Sequence, residues 1–385
     1  MCAGQQGGQA VTIPIQVASE LVYMEGRLNG SSRLSVVLDT GSSLTIVSPR
    51  IADALGLGSS GTLEATGIGK GTSQSTRLIN DCELQWGSPN DQLRLVHQTA
   101  GVLATDYVSA QVGKRADAFF GSNLFKNYVI TVDYAQQRAT FLPIGTDAVA
   151  PGTPIPIRIA NETPFVTAII EGANGTKVTG LFLLDSGTSG ALLLNRKFLD
   201  AHPDLLPAKD FVPAPSVSAV GGDIRLQLAQ VPRLLLGPFS LSKIIALVPE
   251  GTTGVLADAE IAGFIGADVM RRFTVTWDYS HQRMYLLPNA DLQKPFETDA
   301  SGLHLTSPAP SYEAVTIDSV QPGSPAAQAG LRPGDEIRKI DGLIGLSVWR
   351  VAEALRKTGT SVELEVWRKS ETLKVKLVLR SPFKR

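Results

Sequence analysis

The chain has only two cysteines in 385 residues, Cys2 and Cys82, so no disulfide framework can hold it together. It has almost no net charge, with 35 basic against 36 acidic side chains, which removes the usual electrostatic footing for nucleic-acid binding. It has no uninterrupted apolar run of about 18 residues, the length a helix needs to cross a bilayer. The four histidines, His97, His202, His281 and His304, lack the spacing of metal ligands and read as solvent-facing or structural. No Gly-x-Ser-x-Gly or Gly-Asp-Ser-Gly-Gly sequence offers a nucleophilic serine. Gly67-Ile68-Gly69-Lys70-Gly71 has the glycines of a phosphate loop, but neither its full pattern nor a helix after it.

Glycine and proline, by contrast, are plentiful: 37 and 23 residues, with short β-branched runs between them. This composition predicts a mainly β protein of strands and turns, long enough for two or three domains. Cys82 sits in an alternating apolar stretch and reads as a small buried hydrophobe. Cys2 opens a flexible polar tether, Cys-Ala-Gly-Gln-Gln-Gly-Gly-Gln. It is either a tail cysteine without a role or the start of a mature bacterial lipoprotein whose signal peptide a start methionine has replaced. The second reading places the protein outside the bacterial cytoplasm, in the periplasm or anchored to a membrane through a lipidated Cys2.

Two short runs carry the chemistry. Asp39-Thr40-Gly41-Ser42-Ser43 follows the apolar stretch Leu34 to Leu38, and Asp185-Ser186-Gly187-Thr188-Ser189 follows Leu181 to Leu184. Strand propensity carries each acid to a strand end, and the glycine two residues later lets the chain turn there. The acids are 146 residues apart. An independent repeat has nearly the same period: Phe119 to Pro143 aligns without a gap onto Phe264 to Pro288, sharing Thr131, Asp133 and Tyr134 with Thr276, Asp278 and Tyr279. The chain therefore reads as two copies of one mostly β unit. Each copy also has a glycine-rich turn, Thr66 to Gly71 and Ala219 to Asp223, a Phe-apolar-Gly element and a short helix, Asn123 to Asn127 and Asp268 to Arg272. A proline-rich linker, Ala150 to Pro156, separates the copies, and a second break falls at Asp291 to Pro308.

Corresponding acids in two copies of one unit can meet across a pseudo-twofold axis. Two carboxylates a few ångströms apart repel and hold one proton between them, so one is a base while the other is an acid. A water between them can be deprotonated by one Asp as it attacks a carbonyl, whose oxygen the other Asp hydrogen-bonds. The neighbours suit that task. Gly41 and Gly187 can offer backbone N–H groups to the carboxylates. Thr40 and Ser186 can bond backbone of the opposite lobe, and Ser42 and Thr188 can donate to the outer carboxylate oxygens.

The double Asp-Thr/Ser-Gly with an apolar-apolar-Gly element behind each copy resembles the aspartic peptidases. The letters are pepsin-like, but the lobes are short and no tyrosine lies between Gly61 and Leu78, where a pepsin-like flap would carry one. The chain is more similar to the bacterial retropepsin-like family, with two units fused, over about residues 11 to 290. That resemblance implies two β-barrel lobes and a catalytic pair, Asp39 and Asp185, without metal or cofactor. It also implies flaps at Gly67-Ile68-Gly69 and Val220-Gly221-Gly222 that close over an extended polypeptide substrate.

Beyond Gly302 the pattern changes. Gln321 to Gly330 and Leu331 to Ile337, with Ser324 as N-cap and Pro325 at the first helical position, resemble a PDZ domain of the kind found on bacterial proteases. Such a domain takes an extended peptide as an added strand and its C-terminal carboxylate on backbone N–H groups. Gly302-Leu303-His304-Leu305 matches the carboxylate loop loosely, either as a ligand site or as scaffold. The expected organisation is a tether at 1–10, lobes at 11–150 and 151–296, and a PDZ domain at 300–383. The expected function is a monomeric aspartic endopeptidase; the rival is an inactive peptide-binding scaffold on the same fold.

Overall fold

The computed structural model describes residues 9–69, 73–87, 92–146, 150–207, 210–252 and 254–383. Cys2 with most of the tether, Lys70 and Gly71 of the first glycine-rich turn, and the last two residues lie outside them.

The internal repeat becomes two barrels with the same strand order. In the first lobe, Leu21–Leu28 pairs with Leu34–Leu38, which runs parallel to Ala118–Phe120; Thr45–Val47, Gln92–Val102 and Gln74–Gly87 follow. Gln74–Gly87 pairs back onto Leu21–Leu28 and closes the sheet. In the second lobe, Thr163–Glu171, Lys177–Asp185, Ile261–Gly266, Leu192–Leu194, Phe239–Pro249 and Leu226–Leu236 repeat that order, and Leu226–Leu236 closes onto Thr163–Glu171. Closure removes the unpaired edges that a short, strongly twisted sheet would otherwise present. Cys82 is fully buried in the first barrel, as its alternating context predicts.

A third sheet of six strands joins the lobes. Its order is Val11–Pro14, Arg138–Pro143, Tyr128–Asp133, Phe273–Asp278, Arg283–Pro288 and Thr153–Pro156, symmetric about its centre. The pseudo-twofold axis passes between the two copies of the gap-free repeat, where Thr131 faces Thr276 with their hydroxyls 2.9 Å apart. Equivalent residues meet there because equivalent strands pair antiparallel. One contiguous core, from Ile13 to Phe296, runs through both lobes, so they form one packed body.

Both presumed linkers are more structured than their composition suggests. Thr153–Pro156 is the edge strand of the joining sheet; its two prolines fit there because an edge strand has one side free of ladder bonds. After the second lobe, the fully buried Arg272 guanidinium donates to the Asp291 carbonyl at 3.0 Å, to those of Lys294 and Pro295, and lies 3.6 Å from the Phe296 ring centroid. The short helices are Ser122–Phe125 and Ala267–Met270, starting one residue earlier than the sequence suggests and ending two earlier.

The C-terminal region is a small α/β domain with its own core. Its sheet runs Leu303–Thr306, Val315–Val320, Glu336–Ile340, Ser361–Arg368 and Glu371–Val378. Ser324 caps the helix Pro325–Gln328 by accepting from the Ala327 N–H at 3.2 Å, with Pro325 in its first turn. The helix Val348–Leu355 buries Val348, Val351 and Leu355 against the sheet, the i, i+3, i+7 stripe of an amphipathic helix.

Candidate active site

Asp185 is the last residue of Lys177–Asp185, and Asp39 follows directly on Leu34–Leu38. Each acid is fixed by a parallel neighbour, the Phe-apolar-Gly strand of its own lobe. The Asp39 N–H donates to the Phe120 carbonyl at 3.1 Å, and Asp185 is in register with Gly266. Across the axis the carboxyl groups lie within hydrogen-bonding reach of each other.

The two lobes grip each other directly beside the acids. The Thr40 hydroxyl donates to the Leu184 carbonyl at 2.8 Å and accepts from the Ser186 N–H at 2.9 Å. The Ser186 hydroxyl does the same in reverse, donating to the Leu38 carbonyl at 2.9 Å and accepting from the Thr40 N–H at 3.0 Å. These four bonds are buried, and each pairs one lobe with the other. They fix the carboxylates to a common frame.

Gly41 and Gly187 donate their N–H groups to Asp39 Oδ1 at 2.8 Å and to Asp185 Oδ1 at 2.9 Å. Neither glycine has a left-handed backbone, so the turn itself does not demand glycine. The opposite carboxylate does. A Cβ on Gly41 would lie 2.5 Å from the Asp185 carboxyl carbon, and one on Gly187 2.5 Å from that of Asp39. Gly121 and Gly266 are needed for the same reason of clearance, their absent Cβ atoms facing the carbonyls of Ser42 and Gly190 at 2.4 and 2.5 Å.

The hydroxyls expected on the outer oxygens differ between lobes. Thr188 Oγ1 donates to Asp185 Oδ2 at 2.7 Å. Ser42 does not donate its hydroxyl to Asp39: the side chain turns to the Leu44 carbonyl at 2.7 Å, leaving the Ser42 backbone N–H as the donor. A nearby carbonyl of its own loop satisfies the serine locally, a competition open to any short hydroxyl side chain. The dyad is therefore asymmetric. Burial, then the charge of Asp185, pushes the Asp39 carboxyl well above the usual range. Burial also raises Asp185, but the Thr188 hydroxyl and the Gly187 N–H pull it back.

The described residues of the two glycine-rich turns touch each other. The Gly69 N–H donates to the Val220 carbonyl at 2.9 Å. Gly67 packs so closely on Val220 that a Cβ would lie 2.4 Å from the valine Cβ, and one on Gly69 would lie 2.3 Å from the Gly221 carbonyl carbon. Ile68 packs into an apolar cluster of the second lobe that includes Ile224 and Leu256. Val220 and Gly221 lie at the tip of the hairpin formed by Val217–Ala219 and Gly222–Ile224.

Two further elements flank the cleft at corresponding places, each between the long hairpin and the Phe-apolar-Gly strand of its lobe: the helix Asp106–Val112 and the single turn Gly254–Ala257. Each reaches the glycine-rich turn of the opposite lobe or the hairpin that carries it. Gln111 Nε2 donates to the Ser218 carbonyl at 3.2 Å, and the Val255 N–H donates to the Gly67 carbonyl at 3.0 Å. Tyr107 on this helix lies in the field of the dyad: burial, then Asp39 and Asp185, push its phenol above its ordinary value. Tyr279 is buried with its hydroxyl unpartnered among the described residues, and burial and the same two acids push it up strongly. No sequence motif marks Tyr107 or Gln111; only the topology places them.

The expected PDZ loop is not part of this cleft. Gly302 is left-handed, and a Cβ there would strike Ser324 at 2.1 Å. Its N–H donates to Asp299, and the Leu303 N–H donates to Ser301 Oγ at 3.1 Å, so both donors are occupied within the domain. Leu303 and Leu305 are buried, while His304 pairs with Asp318 at 3.0 Å.

Residues 24–103 match the aspartyl protease family and residues 316–368 the PDZ domain family. An aspartic proteinase from Irpex lacteus is similar in structure at 14% identity, with a TM-score of 0.46, over 75% of this chain and 100% of that one. A photosystem II D1 C-terminal processing protease is similar at 30% identity over 23% of this chain and 24% of its own, with a TM-score of 0.21. The match thus spans about a quarter of that protein. No curated protein sequence matches the chain. Two closed β lobes joined by a six-stranded sheet thus carry, in the first lobe, a stretch similar to the aspartyl protease family and, after the second lobe, a small domain similar to the PDZ family.

Proposed function

We propose that the protein is an aspartic endopeptidase in which Asp39 and Asp185 share one proton. The observation that carries this reading is the reciprocal grip of Thr40 and Ser186, which holds the half-buried Asp39 and the buried Asp185 so that each carboxyl packs on the glycine of the opposite motif. Two such groups cannot both ionise, and the shared proton makes one an acid at the moment the other is a base. Asp185 has the side-chain donor and Asp39 lacks one, so the resting proton sits on Asp39. A water between them loses its proton to Asp185 as it attacks the scissile carbonyl. Asp39 hydrogen-bonds the carbonyl oxygen and stabilises its developing charge, and collapse of the tetrahedral intermediate returns a proton to the leaving amine. In this reading an extended polypeptide lies between the dyad and the two glycine-rich turns, which must part to admit it.

The test is digestion of a peptide library, with cleavage that survives EDTA and a serine-directed acylating reagent. Inhibition by either would displace the aspartic assignment. A finer check uses Thr188→Val. Loss of the hydroxyl donor destabilises the Asp185 carboxylate, so its pKa rises further. The mechanism needs Asp185 ionised, so the acid limb of kcat/KM against pH should move to higher pH. An unmoved limb would mean that Asp185 is not the base.

A further inference from the structure

The proposed chemistry gives the PDZ domain no task. Within that domain the strand Leu303–Thr306 pairs only with Val315–Val320, so its other edge faces the helix Val348–Leu355 across the groove where an extended peptide would add a strand. In the whole molecule this groove is not vacant. The cleft helix Asp106–Val112 packs against both its strand and its helix. The Ser307 N–H, just past the strand, donates to the Ala110 carbonyl at 2.9 Å, and the Tyr312 hydroxyl donates to Asp106 Oδ1 at 2.8 Å. Gly113, left-handed at the end of the cleft helix, sits so close that a Cβ would lie 2.6 Å from the Val348 nitrogen. Trp349 completes an apolar cluster with Leu21, Tyr23, Val108 and Val112 of the first lobe.

The other end of the groove receives a carboxylate from the protease lobe. Glu20, at the tip of the turn between Gln16–Ala18 and Leu21–Leu28, pairs with Arg356 just beyond the groove helix. Glu20 is buried, and its second oxygen has no partner among the described residues. Arg356 lies in the field of Asp299, the residue that occupies the Gly302 N–H, so the ion pair sits near the start of the strand Leu303–Thr306. The first lobe thus presents to the PDZ domain an apolar helix end and, beside it, a carboxylate. That is the chemistry of a peptide C-terminus with an apolar last residue.

Both contacts continue to the dyad. Ser19, next to Glu20, accepts through its carbonyl from Ser189 Oγ at 2.7 Å, one residue past the Thr188 that bonds Asp185. The cleft helix carries Tyr107 and ties to the second flap through Gln111.

We propose that the protease lobe occupies the PDZ groove in cis, and that a polypeptide C-terminus with a free carboxylate and an apolar last residue displaces it. Displacement frees the cleft helix and loosens the roof over the cleft. The exchange does not require hydrolysis, so its readouts are binding and amide exchange, and they stand whether or not the chain proves to be a peptidase. A cis occupant lowers apparent affinity by the fraction of molecules whose groove is free. The probe is a fluorescent peptide library with randomised interior, an apolar last residue and a free carboxylate, with C-terminal amides as control.

The full-length double variant Glu20→Gln, Tyr312→Phe should bind the free-carboxylate library at least about tenfold more tightly than the unmodified chain, with the amides much weaker. Amide exchange in the variant should quicken at 106–113 and at the hairpin 217–224. Equal affinity in both proteins, or binding to neither, would overturn the proposal. So would faster exchange confined to residues 300–383. Should the double variant unfold, Tyr312→Phe alone carries the same comparison.

Discussion

Asp39→Asn and Asp185→Asn are each expected to remove peptide hydrolysis, by about 10³-fold or more, while leaving the fold in place. The amide keeps the shape of the carboxyl group and can still hydrogen-bond Gly41 or Gly187, so the turn geometry survives. It cannot exchange a proton with its partner. In Asp185→Asn the base is gone; in Asp39→Asn the remaining carboxylate has no acid facing the carbonyl oxygen. Both variants should be at least as stable as the parent, because each removes the repulsion and part of the cost of burying two acids together. The measurement is cleavage of an unfolded protein substrate beside a chemical denaturation curve. Retained activity in either variant would remove that residue from the mechanism.

Gly187→Ala should damage activity and stability together. Its Cβ would come within 2.5 Å of the carboxyl carbon and Oδ1 of Asp39, a distance real contacts do not reach. Neither side can yield easily. Asp39 is held by Gly41, and the backbone of both motifs is locked by the Thr40–Ser186 grip. The added carbon must push the carboxyls apart, which ends the sharing of a proton and costs about 1–3 kcal/mol of stability, the usual range for overpacking. Activity should fall as far as in Asp39→Asn, now with lower stability, and that pairing separates it from the amide variants. A Gly187→Ala protein with normal kcat would show that the dyad is looser than the packing implies.

The contrast between these variants marks what the sequence could and could not reveal. Asp39, Asp185 and their hydroxyl neighbours were legible because duplication writes the same letters twice, and a local motif carries its own turn chemistry. The PDZ helix start at Ser324-Pro325 was legible for the same reason. The reason for Gly41 and Gly187 was not. The letters suggest a turn, whereas the constraint is a carboxylate about 146 positions away in the chain. Ser42 looked equivalent to Thr188, yet a carbonyl two residues on captures its hydroxyl, a choice set by loop geometry. The helix Asp106–Val112 has no motif at all; only the fold brings it against the C-terminal domain and the hairpin 217–224. Nor does any motif mark Arg272, around which the following segment wraps its carbonyls.

The central claim is that two facing carboxyls with one proton hydrolyse a peptide bond. Its most direct test is the pH dependence of kcat/KM on a peptide library, from about pH 3 to about pH 8, for the unmodified chain and Asp39→Asn. A shared proton requires one group ionised and one protonated, so the unmodified chain should give a bell whose two limbs belong to the pair, and Asp39→Asn should lie at background throughout. A rate that climbs steadily toward alkaline pH, or no cleavage by the unmodified chain at any pH, would contradict it, the latter leaving a protein that binds peptides on a protease fold.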